Sequence, residues 1–241
     1  MNFLSKAGYY LKWGFNYRIM KKRIPLSGSI ILTDKCNLDC KHCIVSNLGY
    51  TPMDLSAVKR DLDALYNTGA RILVITGGEP FLWRDEDGHG LWHVVDYAKQ
   101  LGFFRTVICT NGTIELKSQA DYLWVSIDGI PAEHDNLRGT GSCSKIMANI
   151  TKSKHENIYA NYTISALNML HFEKATEDIL SHKKIKGILF HLFTPYVGLE
   201  HSPLTISREQ KRAVIEKILT IKKKHPLRIS NTFAGLKALL N

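Results

Sequence analysis

Six short apolar runs, each followed by a turn or a helical period, set what this chain can fold into. They are "GSIILT" (28–33), "RILVIT" (71–76), "RTVICT" (105–110), "YLWVSI" (122–127), "YANYTIS" (159–165) and "GILFHLF" (187–193). Helical periods occupy about 56–69, 91–101, 144–157, 171–183 and 207–224, while "IELKSQAD" (114–121) has room for little more than a turn. Near-continuous apolar strands separated by helices describe a parallel sheet covered on both faces. Six βα units are too few to close an eight-stranded barrel. The expected fold is therefore α/β, a partial (β/α)6 TIM-like barrel with parallel strands and an N-terminal helical extension, with a doubly wound open sheet as the alternative. The expected division is an N-terminal amphipathic basic helix (1–26), a barrel core (27–205) and a C-terminal helical segment (206–241) closing the same domain.

Composition narrows the class. At 241 residues, 44% hydrophobic and 22% charged, the chain has enough apolar content for one large core. No run of 18 apolar residues suggests a membrane span, and the lysine-interrupted N-terminus lacks a signal-peptide cleavage site, so a cytoplasmic protein is expected. The net charge of +10 sits largely in solvated runs such as "HKKIK" (182–186) and "KKKH" (222–225). Without an aromatic-interleaved basic strand or a recognition helix, it does not read as a nucleic-acid surface.

Four unusual stretches fall after four successive strands: "TDKCNLDCKHC", "GGEP" (77–80), "TNGT" (110–113) and "SIDG" (126–129). Parallel α/β sheets bind ligands at the carboxyl ends of their strands, so this placement marks an active site. In a reducing compartment, Cys36, Cys40 and Cys43 read as metal ligands rather than disulfide partners. A closed zinc site needs a fourth ligand, for which His42 is the nearby candidate; that reading makes the chain a non-catalytic metal-binding scaffold. A four-cysteine iron–sulfur cluster needs Cys109 or Cys143, yet Cys109 lies inside strand three and suits packing better. The third possibility is a four-iron cluster on three cysteines with one iron open to a small molecule.

The ordered set "CNLDCKHC", "GGEP", "TNGT" and "SIDG" resembles the radical S-adenosylmethionine (radical SAM) superfamily over roughly residues 27–195. The resemblance implies a partial (β/α)6 barrel, a [4Fe-4S] cluster on Cys36, Cys40 and Cys43, and S-adenosylmethionine (SAM) chelated at the open iron. It implies that Gly77 and Gly78 admit the methionine end of SAM and that Glu79 pairs with its ammonium group. Ser126 and Arg138 resemble residues that contact the SAM carboxylate, with an ion pair as the alternative for Arg138. His42 falls where the family often has an aromatic residue near the adenine, or else packs its loop. Asn111 and Asp128 would bond the ribose or support the loops. The implied chemistry is reductive cleavage of SAM and hydrogen abstraction from an unidentified substrate, fed by an electron donor such as flavodoxin or ferredoxin, whose acidity would suit a basic surface.

Other features read more plainly. "RDEDGHG" (84–90) is a solvated acidic turn, and "GTGS" (139–142) lacks the strand and lysine of a phosphate loop. Cys143 reads as a packed thiol at a helix start or a hydrogen-atom donor; His191 faces the substrate or sits satisfied in the core. No cysteine follows Cys143, which weakens a peptide-maturing reading, since such relatives commonly carry a cysteine-rich C-terminal extension. A small metabolite, lipid or cofactor precursor remains open as substrate. On an N-terminal helix, Phe3, Leu4, Ala7, Tyr10, Leu11, Gly14 and Phe15 make one apolar stripe opposite Lys12 and Asn16. That stripe either caps the barrel or lies on a membrane, where Tyr9, Trp13, Tyr17, Lys21, Lys22 and Arg23 would be its anchors.

Overall fold

The computed structural model describes residues 3–196 and 202–240. The six apolar runs form six strands: β1 (Ser27–Ile31), β2 (Ile72–Thr76), β3 (Arg105–Thr110), β4 (Tyr122–Ser126), β5 (Ile158–Ile164) and β6 (Ile185–Leu192). They make one parallel sheet in chain order, the α/β class expected from the strand pattern. The helices are α1 (Phe3–Arg18), α2 (Leu55–Asn67), α3 (Leu91–Leu101), α4 (Pro131–Arg138), α5 (Ser142–Lys152), α6 (Phe172–Ser181), α7 (Arg208–Lys224) and α8 (Phe233–Ala238). Residues 114–121 carry no helix, in line with the shortness of that connection.

Burial alternates along the strands. On β2 and β4, Leu73, Ile75, Leu123 and Val125 are fully buried, whereas Ile72, Val74, Trp124 and Ser126 stay partly accessible. One face of each strand is thus buried while the other stays partly accessible, and apolar residues on both erase the polar alternation of a half-exposed sheet.

The chain divides into two compact units. The first comprises Met1–Asn37, Val45–Thr110 and Ser118–Leu123. In it β1 pairs with β2 from Ser27↔Ile72 to Ile31↔Thr76, and β2 with β3 from Ile72↔Arg105. Its helix α2 starts at Asp54, whose carboxylate accepts the Ala57 N–H at 2.6 Å, and buries Val58 and Leu62. The second comprises Leu38–Ile44, Asn111–Lys117 and Trp124–Asn241. There β5 pairs with β6 from Ile158↔Ile185 to Ile164↔Leu192. The segment after α7 then covers the outer edge of β6. Ile188 donates to the Arg228 carbonyl and Ser230 to the Ile188 carbonyl, each at 2.8 Å, so this edge is not left open to other chains.

Helix α1 forms as its period suggests, but a different face docks. Tyr10 packs edge-on against Phe104 with ring centres 5.8 Å apart, while Leu11 and Phe15 of the expected stripe are 76% and 56% exposed. Tyr9 stacks edge-on against the same ring at 5.1 Å and donates its hydroxyl to the Gly69 carbonyl; Trp13 donates to the Ile24 carbonyl at 2.9 Å. Aromatic rings with a polar tip can bury against loop ends and satisfy their carbonyls together, which Leu and Phe cannot do. The side chains of Phe3 and Leu4 lie outside the described residues. Among the described residues no helix is long and apolar enough to cross a membrane.

Candidate active site

In the first unit, the loop after β1 is clamped by the turn after β2. Gly78 N–H donates to the Thr33 carbonyl at 2.7 Å and Glu79 N–H to the Lys35 carbonyl at 2.9 Å, one residue before Cys36. The two glycines have a physical reason other than the approach of a cofactor. A Cβ on Gly77 would lie 2.4 Å from the Thr33 carbonyl oxygen, and one on Gly78 would lie 2.3 Å from that of Asp34 and 2.4 Å from that of Lys35. The glycines let two backbones touch and so fix where the cysteine loop begins. Gly78→Ala is expected to push this loop away, lowering stability by about 1–3 kcal/mol. Thermal melts check this; an unchanged melting temperature would contradict the clamp.

The loop also holds itself. Cys36 N–H donates to Asn47 Oδ1 at 2.9 Å, and Asn47, in the left-handed region at φ 56°, returns its N–H to the Asp34 carbonyl at 2.7 Å. Asp34 Oδ2 accepts the Tyr50 N–H at 3.0 Å, and such backbone donors hold its pKa below the ordinary carboxylate value.

Glu79 is fully buried. Its Oε1 accepts the Thr110 hydroxyl at 2.8 Å and the Phe81 N–H at 3.1 Å, tying the end of β2 to the end of β3. Cys109 stands nearby on β3, where burial, with the charge of Glu79 adding, pushes its thiol up to about 12.

In the second unit, Asp128 is the hub. This fully buried carboxylate accepts Arg138 Nε at 2.5 Å and the Thr163 N–H at 2.7 Å. Its backbone N–H donates to His134 Nδ1 at 3.0 Å, and its carbonyl accepts from Asn168 Nδ2 at 3.0 Å. Burial first, and then the Arg138 charge, lower the His134 pKa to about 4, so its ring is a neutral acceptor. Arg138 is itself buried, and its Nη1 lies 3.9 Å from Cys40 Sγ. Burial opposes its charge, but Asp128 and Cys40 outweigh burial and raise its pKa. The ion pair of Arg138 is therefore a buried one that reaches the cysteine loop. His42 Nε2 lies 3.7 Å from Asp128 Oδ2, and burial foremost lowers its pKa, so the pair is not ionic near neutrality. A Cys43 N–H to Cys40 carbonyl bond of 2.9 Å and a Lys41 N–H to Leu137 carbonyl bond of 3.0 Å fold the loop back onto α4.

Asn111 Oδ1 accepts both the N–H and hydroxyl of Thr113, at 2.9 and 2.6 Å, which organises its own turn. Ser126 ends β4 on the partly accessible face. Cys143 is buried at the start of α5, where burial and Asp135 raise its pKa. His191 is exposed on β6 in register with Thr163, so it is not a core histidine. In "RDEDGHG", Asp85 accepts from Leu55 and His89 N–H groups at 3.1 and 2.8 Å, bracing the start of α2. Sequence reasoning did not single out Asp34, Asn47, Thr110, His134 or Asn168. Of these, only Asp34 and Thr110 carry a positional signal, inside the marked stretches "TDKCNLDCKHC" and "TNGT" at strand ends.

The Radical SAM superfamily model matches residues 30–182. The AdoMet-dependent heme synthase of Methanosarcina barkeri is 30% identical over 177 residues, covering 67% of this chain and 48% of that protein. The S-adenosylmethionine-dependent nucleotide dehydratase of Selenomonas ruminantium is 27% identical over 77% of this chain and 73% of its own. The structure of anSMEcpe with bound AdoMet superposes with a TM-score of 0.66 at 18% identity, over 86% of this chain and 63% of that one. The chain thus spans about half the length of the heme synthase. With more than half of it matched by the family model, the chain belongs to the radical SAM superfamily, whose enzymes use a [4Fe-4S] cluster and SAM.

Proposed function

We propose that the chain binds a [4Fe-4S] cluster on Cys36, Cys40 and Cys43 and catalyses a SAM-dependent radical reaction. The observation that carries this is the donor set. These three cysteines lie within eight residues of one another in the sequence and are partly accessible, whereas burial raises the pKa of the Cys109 and Cys143 thiols. Three soft ligands with no fourth thiolate suit a cluster with one open iron better than a closed zinc site. When bound, the cluster and SAM would supply reductive radical chemistry directed at an unreactive substrate C–H bond.

The protein's own residues position and exclude. Gly77 and Gly78 fix the origin of the cysteine loop, and Arg138, held by Asp128, sets a positive charge beside Cys40. Glu79, carried on the rigid end of β2, would take the SAM ammonium group, and Ser126 would contribute from the end of β4. The accompanying partners are a one-electron donor and a substrate bearing an unreactive C–H bond. For the donor, the net charge of +10 favours an acidic protein such as a flavodoxin or ferredoxin.

Iron and sulfide analysis after anaerobic purification tests the cluster: about four of each per chain is expected, and stoichiometric zinc alone overturns the proposal. Glu79→Gln tests the SAM site, because Gln keeps the acceptor used by Thr110 and Phe81 while removing the charge. Loss of a charged hydrogen bond corresponds to about 1.5–3 kcal/mol, roughly tenfold or more in SAM affinity by calorimetry. An unchanged Kd would leave Glu79 a purely structural brace.

A further inference from the structure

The exposed face of α1 is not used by the fold. Its docked face contacts the first unit through Lys6, Tyr9, Tyr10 and Trp13. On the other side Leu11, Phe15 and Ile19, each four residues from the next, form one line and are 76%, 56% and 65% exposed. Tyr17 and Met20 add further exposed apolar area beside that line. Single exposed apolar residues are ordinary, but an ordered row of three large ones with two more adjoining is an interaction surface.

Charge says what covers it. Residues 1–33 contain six basic residues (Lys6, Lys12, Arg18, Lys21, Lys22 and Arg23) and no Asp or Glu. Five of the six, all but Lys6, are exposed around or just after the apolar row. A second copy of the chain would bring the same uncompensated cations against this face, and the two would repel. An anionic bilayer supplies both complements: an apolar interior for Leu11, Phe15 and Ile19 and a negative surface for the lysines and arginines. We propose that α1 and residues 19–23 bind the surface of anionic membranes, with the exposed row inserted at the level of the headgroups.

The placement of α1 defines what such binding can do. Its contacts fall at Ile24, Gly69 and Phe104, just before β1, β2 and β3, whereas Cys36, Gly78 and Thr110 lie past or at the carboxyl ends of those strands. The helix would therefore tether the first unit by the edge opposite the carboxyl ends of β1, β2 and β3. This goes beyond the proposed chemistry and does not depend on it.

The test is co-sedimentation of the whole chain with vesicles of phosphatidylcholine alone or mixed with phosphatidylglycerol. Two variants are compared: Leu11→Ser/Phe15→Ser/Ile19→Ser, and Lys21→Gln/Lys22→Gln/Arg23→Gln. The wild-type chain is expected to pellet with the anionic vesicles only, to be released by salt, and to lose at least tenfold in binding in either variant. These positions are exposed, so melting temperatures should hold; if the serine variant unfolds, the glutamine variant decides alone. Failure to pellet with anionic vesicles, equal binding to phosphatidylcholine, or undiminished binding by a folded variant would each overturn the proposal. So would a dimer, or a complex with an acidic electron donor, that the serine variant abolishes while the wild-type chain ignores both vesicles.

Discussion

Replacing Cys36, Cys40 or Cys43 with Ala is expected to abolish cluster binding and SAM cleavage together. A three-ligand site has no spare thiolate, and the other two cysteines cannot substitute. The Cys109 thiol is pushed up to about 12, chiefly by burial, so it stays protonated near neutrality. Cys143 is buried behind a backbone N–H that donates to Asp135 Oδ1 at 2.9 Å, and its pKa is raised as well. Cys109→Ala and Cys143→Ala should therefore keep full iron. Iron and sulfide content with the cluster's visible absorbance reads this out for all five variants. Full iron in any of the first three, or loss of iron from a folded member of the last two, would contradict the ligand assignment.

Asp128→Ala should destabilise the fold severely. It strips the buried Arg138 of its partner and leaves the Thr163 N–H without its acceptor. Removing one member of a buried ion pair costs about 3–5 kcal/mol because the remaining charge has nowhere to go. For a chain of this size that is a fall in melting temperature of roughly 6–20 °C. The double variant Asp128→Leu/Arg138→Met removes both charges and should recover much of the loss, since paired apolar replacements are often close to neutral. A shift of a degree or two in the single variant, or no recovery in the double, would show that the pair does not hold this part of the molecule.

The strands were legible because they are apolar on both faces, a pattern that few other elements produce. Helix α4 was not. Its eight residues, "PAEHDNLR", have no apolar period, and only Pro131 at its first turn marks a helix start. Yet α4 carries His134 and Arg138, half of the Asp128 constellation. Nothing in the sequence pairs Asp128 with Arg138 ten residues on, because the pairing is forced by shared burial rather than by spacing. The "GGEP" glycines were legible as a motif, but their reason, contact with the carbonyls of residues 33–35, needs coordinates. The docked face of α1 was misread for a related cause. A hydrophobicity stripe ranks Leu11 and Phe15 above Tyr9 and Trp13, but the loop ends they meet offer carbonyls that only the latter pair can satisfy.

Anaerobic reconstitution with iron and sulfide, followed by dithionite and SAM, asks whether this loop and these strand ends make a working radical SAM site. 5′-Deoxyadenosine and methionine should appear in equal amounts, only with reductant present, and not with Cys36→Ala. Protein that holds its full iron and sulfide yet forms no 5′-deoxyadenosine, or forms it equally well without Cys36, would contradict the function proposed for this chain.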